Sequence, residues 1–196
     1  MERVAFEELV AEVAAKLRVR VDQIDVDPVL GWRAGPYFDR GRLHVTPAWV
    51  EVMDYSEQVF LLAYYLRMGR MCGWWLTWLA TGVSGSVALA GSAYFAMAMH
   101  LAWWSVVLAI PLALLSTAIY STAILVPIKG IARRVSIRRA LEVSGSLQTA
   151  ESGMEKRYRF DLRGEHPVPK TYNLDPSKEL QLLRKIAGRM RPRLEN

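Results

Sequence analysis

Three histidines, one cysteine, a tyrosine pair and a Ser-Gly-Ser run are the side chains here with chemistry to offer. Zinc sites and many catalytic bases use imidazole nitrogens, yet nothing in the spacing of His44, His100 and His166 brings two of them to one point. With Cys72 alone, neither an intrachain disulfide nor a cysteine metal cluster is possible. A tyrosine phenol, with a reference pKa of about 10, keeps its proton at pH 7. Tyr64 and Tyr65 therefore read as packing residues rather than an acid–base pair. Ser144, Gly145 and Ser146 read as a helix irregularity rather than a nucleophile. No G-x-S-x-G, Walker loop or G-x-G-x-x-G is present.

The elements that must position these residues are organised around one uncharged stretch. From Gly73 to Ile128 there is no Asp, Glu, Lys or Arg. A bilayer core of ~30 Å takes ~20 helical residues, so the stretch predicts two crossings, 74–97 and 104–127, joined by a tight turn. Trp74, Trp75 and Trp78 would mark one water–lipid boundary, and Trp103 and Trp104 the other. Cations flank the stretch at both ends: Arg67 and Arg70 before it, Lys129, Arg133, Arg134, Arg138 and Arg139 after it. The turn has none, so the positive-inside rule places both termini in the cytoplasm, with the cations at lipid headgroups of the inner (plasma) membrane. Small residues recur at every fourth position, Gly82, Ser86 and Ala90, then Ser105, Ala109, Ala113, Thr117 and Ser121. Such stripes let the two helices pack on each other, or recruit a third.

Of 196 residues, 52% are hydrophobic, and the formal net charge is +6. The basic excess beside the uncharged stretch suits anionic lipid better than nucleic acid, since no aromatic–basic interleaving or nucleic-acid motif appears. Met1 to Lys16 carries Glu2, Glu7, Glu8 and Glu12, the wrong chemistry for a cleavable signal. Phe6, Leu9, Val10, Val13 and Leu17 form a helical stripe; Val19, Val21, Ile24 and Val26 suggest a strand. Residues 31–41 are turn-rich, and Arg42, Leu43, His44 and Val45 alternate as a short edge strand. Thr46-Pro47 starts a short helix, and Asp54 with Glu57 forms a capping box for a second one. A helix follows from Gly130 to about Ser152, then a linker over Met154 to Thr171. Asp175-Pro176 caps a last amphipathic helix carrying Leu180, Leu183, Ile186, Ala187 and Met190 on one face.

This order of elements, with RLHVTPAWV as the edge strand and its following helix, resembles the HtpX-like membrane zinc metallopeptidases, chiefly from Leu30 to Gly69. The resemblance implies a small α+β, zincin-like cytoplasmic domain interrupted by a two-helix transmembrane hairpin. Its parts are residues 1–72, the hairpin 73–128, and a helical C-terminal half, 129–196. The family's helix matching Ser56 to Arg70 carries the zinc-binding H-E-x-x-H. Here Tyr64 and Met68 stand where its histidines would be, and Tyr65 where its glutamate base would be. The third ligand, a Glu in E-x-x-A-D, falls at Ala140, with Ser144 for the Asp. Shifting by two residues brings in Glu142, but Gly145 and Ser146 then follow it and no histidine pair completes the site.

The expectation is a degenerate member without metal or cofactor, not an enzyme, that holds a peptide or protein partner beside the membrane. Arg42, Leu43, His44 and Val45 would then offer unpaired backbone groups to an extended peptide, unless the domain's own C-terminal segment covers that edge. The rivals are an accessory subunit of a larger membrane complex and an active peptidase with an unrecognised site.

Overall fold

The computed structural model describes residues 3–26, 37–72, 74–98, 103–163 and 176–194. The chain divides into two compact units, 1–71 with 132–196, and 72–131. It is mostly helical, with one small sheet.

In the first unit, α1 (Arg3–Leu17) buries the expected stripe of Phe6, Leu9, Val10, Val13 and Leu17 and exposes Glu7, Glu8 and Glu12. Its end is a Schellman closure: the Val19 N–H donates to the Ala14 carbonyl (2.9 Å) and the Arg18 N–H to the Ala15 carbonyl (3.0 Å). Arg18 takes the left-handed conformation (φ 52°) that such closures usually give to glycine. The sheet holds β1 (Gln23–Val26), β2 (Tyr37–Asp39) and β3 (Arg42–Val45) in the order β1-β3-β2. Arg40 (φ 49°) and Gly41 (φ 80°) both lie at positive φ, as a two-residue I′ hairpin requires. That turn folds Tyr37–Asp39 antiparallel onto β3, pairing Phe38 with Leu43. On its other side β3 runs parallel to β1, Ile24 opposite Leu43.

The expectation of an edge at Arg42, Leu43, His44 and Val45 is thus overturned. β3 is the central strand, its backbone groups paired on both sides. The sequence concealed this because β2 is three residues long and sits inside a stretch rich in turn formers.

Helix α2 (Pro47–Val52) begins where Thr46-Pro47 predicts, with Thr46 extended and proline in the first turn, although the Thr46 hydroxyl makes no capping bond. In α3 (Tyr55–Cys72) the capping box forms by its glutamate arm: the Asp54 N–H donates to Glu57 Oε2 at 2.9 Å. Phe60, Leu61, Leu62, Ala63, Tyr64 and Leu66 are all buried, so α3 is covered nearly all round and forms the centre of this unit. Helix α5 (Trp103–Ser144) stops at Gly145, whose φ of 68° an L side chain rarely adopts. The Ser146 hydroxyl then caps α6 by accepting from the Thr149 N–H (3.2 Å). Because α6 runs from Leu147 to Arg163, the linker expected from Met154 onward is helical as far as Arg163. Helix α7 (Pro176–Leu194) buries Leu183, Ala187 and Met190 on the expected face, and Asp175 lies outside the described residues.

The second unit contains α4 (Trp74–Ala98) and the N-terminal part of α5. Among the described residues no helix is long and apolar enough to cross a membrane. This overturns the transmembrane hairpin of 73–128, and with it the hairpin-interrupted α+β fold and the multi-pass inner-membrane placement. A charge-free stretch is not automatically a strongly apolar one: α4 interleaves its Leu and Val with Thr77, Thr81, Gly82, Ser84, Gly85, Ser86, Gly91 and Ser92. The small-residue stripe is also out of phase. Gly82, Ser86 and Ala90 are exposed, whereas Leu76, Ala80, Ser84 and Ala88 form the buried row. Both rows repeat every fourth residue, so periodicity alone does not choose between them.

Candidate functional site

Tyr64 stands on the buried face of α3, where the resemblance puts the first zinc ligand, and its hydroxyl donates to Glu179 Oε1 of α7 at 3.2 Å. Glu179 is 4% exposed and meets two guanidinium groups. Arg133 Nε of α5 lies 3.3 Å from Oε1, and Arg157 of α6 reaches Oε2 at 3.8 Å. The Arg133 contact is an ion pair without hydrogen-bond direction. The Arg157 guanidinium also covers both tyrosines, 5.9 Å from the Tyr64 ring centroid and 5.1 Å from that of Tyr65. The two rings meet edge to face, with centroids 5.3 Å apart. Four helices thus converge on one carboxylate.

The electrostatics follow from that geometry. Burial, then the negative charge of Glu179, pushes the Tyr64 phenol up to about 12, while Arg157 and Arg133 pull the other way. Tyr64 is therefore a neutral donor at ordinary pH and Glu179 the anion it serves. Zinc asks for imidazole, carboxylate or thiolate donors. The matched positions supply phenols at Tyr64 and Tyr65, a half-buried thioether at Met68, a buried methyl at Ala140 and a half-buried hydroxyl at Ser144. These residues do not fit the metal. Tyr64 and Ala140 belong to one buried core, with Tyr65 packed against it. Among the described residues, no group of three or more His, Cys, Asp or Glu is placed to hold a metal ion.

A second polar node lies at the start of α3. Glu57, also buried, accepts from Ser152 Oγ (2.5 Å), Lys156 Nζ (2.8 Å) and the Asp54 N–H, tying α3 to α6. His44 sits across the sheet from Asp25, its Nδ1 3.5 Å from the carboxylate, while His100 and His166 lie outside the described residues.

Four of the cations expected at lipid headgroups have partners within the protein. Arg70 donates to the Arg18 carbonyl at 2.7 Å, holding the end of α1. Arg138 and Arg139 pair with Glu142 at 3.3 and 2.6 Å. Arg133 belongs to the Glu179 cluster, Arg134 is exposed, and Lys129 and Arg67 are half-buried.

Sequence reading missed Glu179 and Arg157 and misplaced Arg133, although a signal for two of them was present. Glu179 stands four residues before Leu183 and eight before Ala187, on the apolar row of α7. Arg133 stands four before Ile137 and seven before Ala140, on the buried row of α5. A charge within an apolar stripe announces a buried partner. No protein-family model, curated protein or solved structure matches the chain.

Proposed function

We propose that this chain is a non-catalytic, metallopeptidase-like scaffold that binds a peptide or protein partner. The observation that carries this reading is the commitment of Tyr64, at the position matched to a zinc ligand, to a buried hydrogen bond and ion cluster. A phenol held at about 12 does not deprotonate water at neutral pH. For peptide capture the sheet offers β1 and β2, which flank β3 and have no second strand partner among the described residues.

Zinc content and hydrolysis of a fluorogenic casein by the full chain test the proposal. The expected result is substoichiometric zinc and no chelator-sensitive turnover. Stoichiometric metal together with cleavage abolished by a chelator would establish the active-peptidase reading instead.

One observation favours a second reading, an accessory subunit of a larger assembly. Helix α4 exposes Trp78, Leu79, Val83, Val87, Leu89 and Tyr94, a broad uncharged surface of the kind that usually meets another chain. Co-purification at fixed stoichiometry, lost on substituting Val83 and Val87 by lysine, would support it.

A further inference from the structure

The solvent side of α7 carries a single row of cations. At about 100° per residue, Lys178, Lys185 and Arg189 fall within about 40° of arc and span about 16 Å along the helix axis. All three are exposed, and none has an ion pair or hydrogen bond among the described residues. Glu179 is the only acid in α7, and it is buried. Other exposed cations of this unit have acids beside them: Lys16 has Glu12, Arg138 and Arg139 have Glu142, and Arg184 has Glu151. The row is also placed against the stability of its own helix. Lys178 stands in the first turn, where the macrodipole disfavours a cation. Lys185 and Arg189 are a like-charged i,i+4 pair, which weakens a helix. Both costs fall when an anion from outside meets the row.

We propose that the solvent face of α7, through Lys178, Lys185 and Arg189, docks a carboxylate-rich segment of a partner protein. That partner is the one the scaffold reading requires, and α7 adds its chemistry. A bilayer suits this face poorly, because Leu183, Ala187 and Met190 are buried in the protein core and leave the helix no apolar side for lipid. A nucleic acid suits it poorly as well, since α7 has no aromatic side chain to stack on a base. A second copy would set the same row against itself. An acidic segment needs only charge complementarity along the row. The surrounding sequence favours its approach, since residues 129–196 carry twice as many Lys and Arg as Asp and Glu.

Fluorescence anisotropy of labelled poly-glutamate titrated with the full chain in low-salt buffer tests the docking face, beside labelled oligothymidylate and phosphatidylserine vesicles. The expected result is saturable binding of poly-glutamate, tighter than of the other two and lost as salt is added. Replacing Lys178, Lys185 and Arg189 together by glutamine should weaken it roughly tenfold, as loss of three exposed charge pairs implies. Replacing Arg134, Arg138 and Arg139 of α5 by glutamine removes the same formal charge and should weaken it roughly twofold or less. Thermal melts check that each variant is folded, and Lys185→Gln alone, with a roughly twofold effect, takes the place of the α7 triple variant if that one is not. Absence of saturable binding, equal weakening by the α5 and α7 variants, or tighter capture by oligothymidylate or vesicles overturns the docking face. Any of these leaves the scaffold reading to its own zinc and casein measurements.

Discussion

Replacing Glu179 by alanine removes the one described anion that faces both Arg133 and Arg157. At 3.3 and 3.8 Å, with an effective dielectric constant of about 20, the two attractions are gross terms of about 5 and about 4 kcal/mol. Desolvation of the three charges offsets most of this in the wild type, so the intact cluster adds little net stability. Its rupture is another matter. The arginine side chains are 23% and 19% exposed, too little for water to rescue them fully. Loss of one partner from such a cluster costs roughly 3–5 kcal/mol. Tyr64 loses its acceptor in the same step.

A total near 4 kcal/mol corresponds to a fall in Tm of about 8–16 °C for a chain of this size. Glu179→Gln keeps the shape and an acceptor for Tyr64, and should lose about half as much. Urea unfolding followed by far-ultraviolet circular dichroism measures both, with an unchanged slope showing that the unfolded state is not what moved. A Glu179→Ala variant within about 1 kcal/mol of wild type would refute the buried cluster, because surface ion pairs contribute no more than that.

Tyr64 gives a pH dependence whose sign is fixed. Its phenol ionises near 10 in the unfolded chain but at about 12 when folded, so between these values the unfolded state binds fewer protons and stability falls as pH rises, by up to about 3 kcal/mol. Tyr64→Phe lacks this component, so the stability gap between wild type and variant should narrow from pH 9 to pH 11.5 in paired urea titrations; a constant gap contradicts the burial. A methyl group added at Gly69 runs into the Phe38 backbone carbonyl of β2, and Gly69→Ala should cost more than about 2 kcal/mol. Gly153→Ala, whose new methyl meets Glu57 Cβ at 3.4 Å, should be neutral or stabilising by up to about 1 kcal/mol, and thermal melts compare the two. Lys156→Met removes a donor from buried Glu57 and should cost about 1–2 kcal/mol by chemical denaturation.

The sequence by itself determined the local elements whose causes are local. The Phe6–Leu17 stripe, Thr46-Pro47, the Asp54–Glu57 pair and the apolar row of α7 each appear where period or capping puts them. Tertiary structure alone decided which strand is central, which small-residue row of α4 is buried, and where the charges go. β3 has the alternation of an edge strand, yet a turn at Arg40-Gly41 and a parallel partner enclose it, and strand order is a property of pairing, which no single strand encodes. The uncharged stretch at Gly73–Ile128 fixed helices without fixing what surrounds them, because absence of charge permits more than one environment. Arg133, Arg157, Glu179 and Tyr64 come from four helices, and only their packing turns four separate side chains into one buried ion cluster. Coulomb attraction falls with distance through space, not along the chain, so residues separated by as much as 115 positions interact at 3.2 Å.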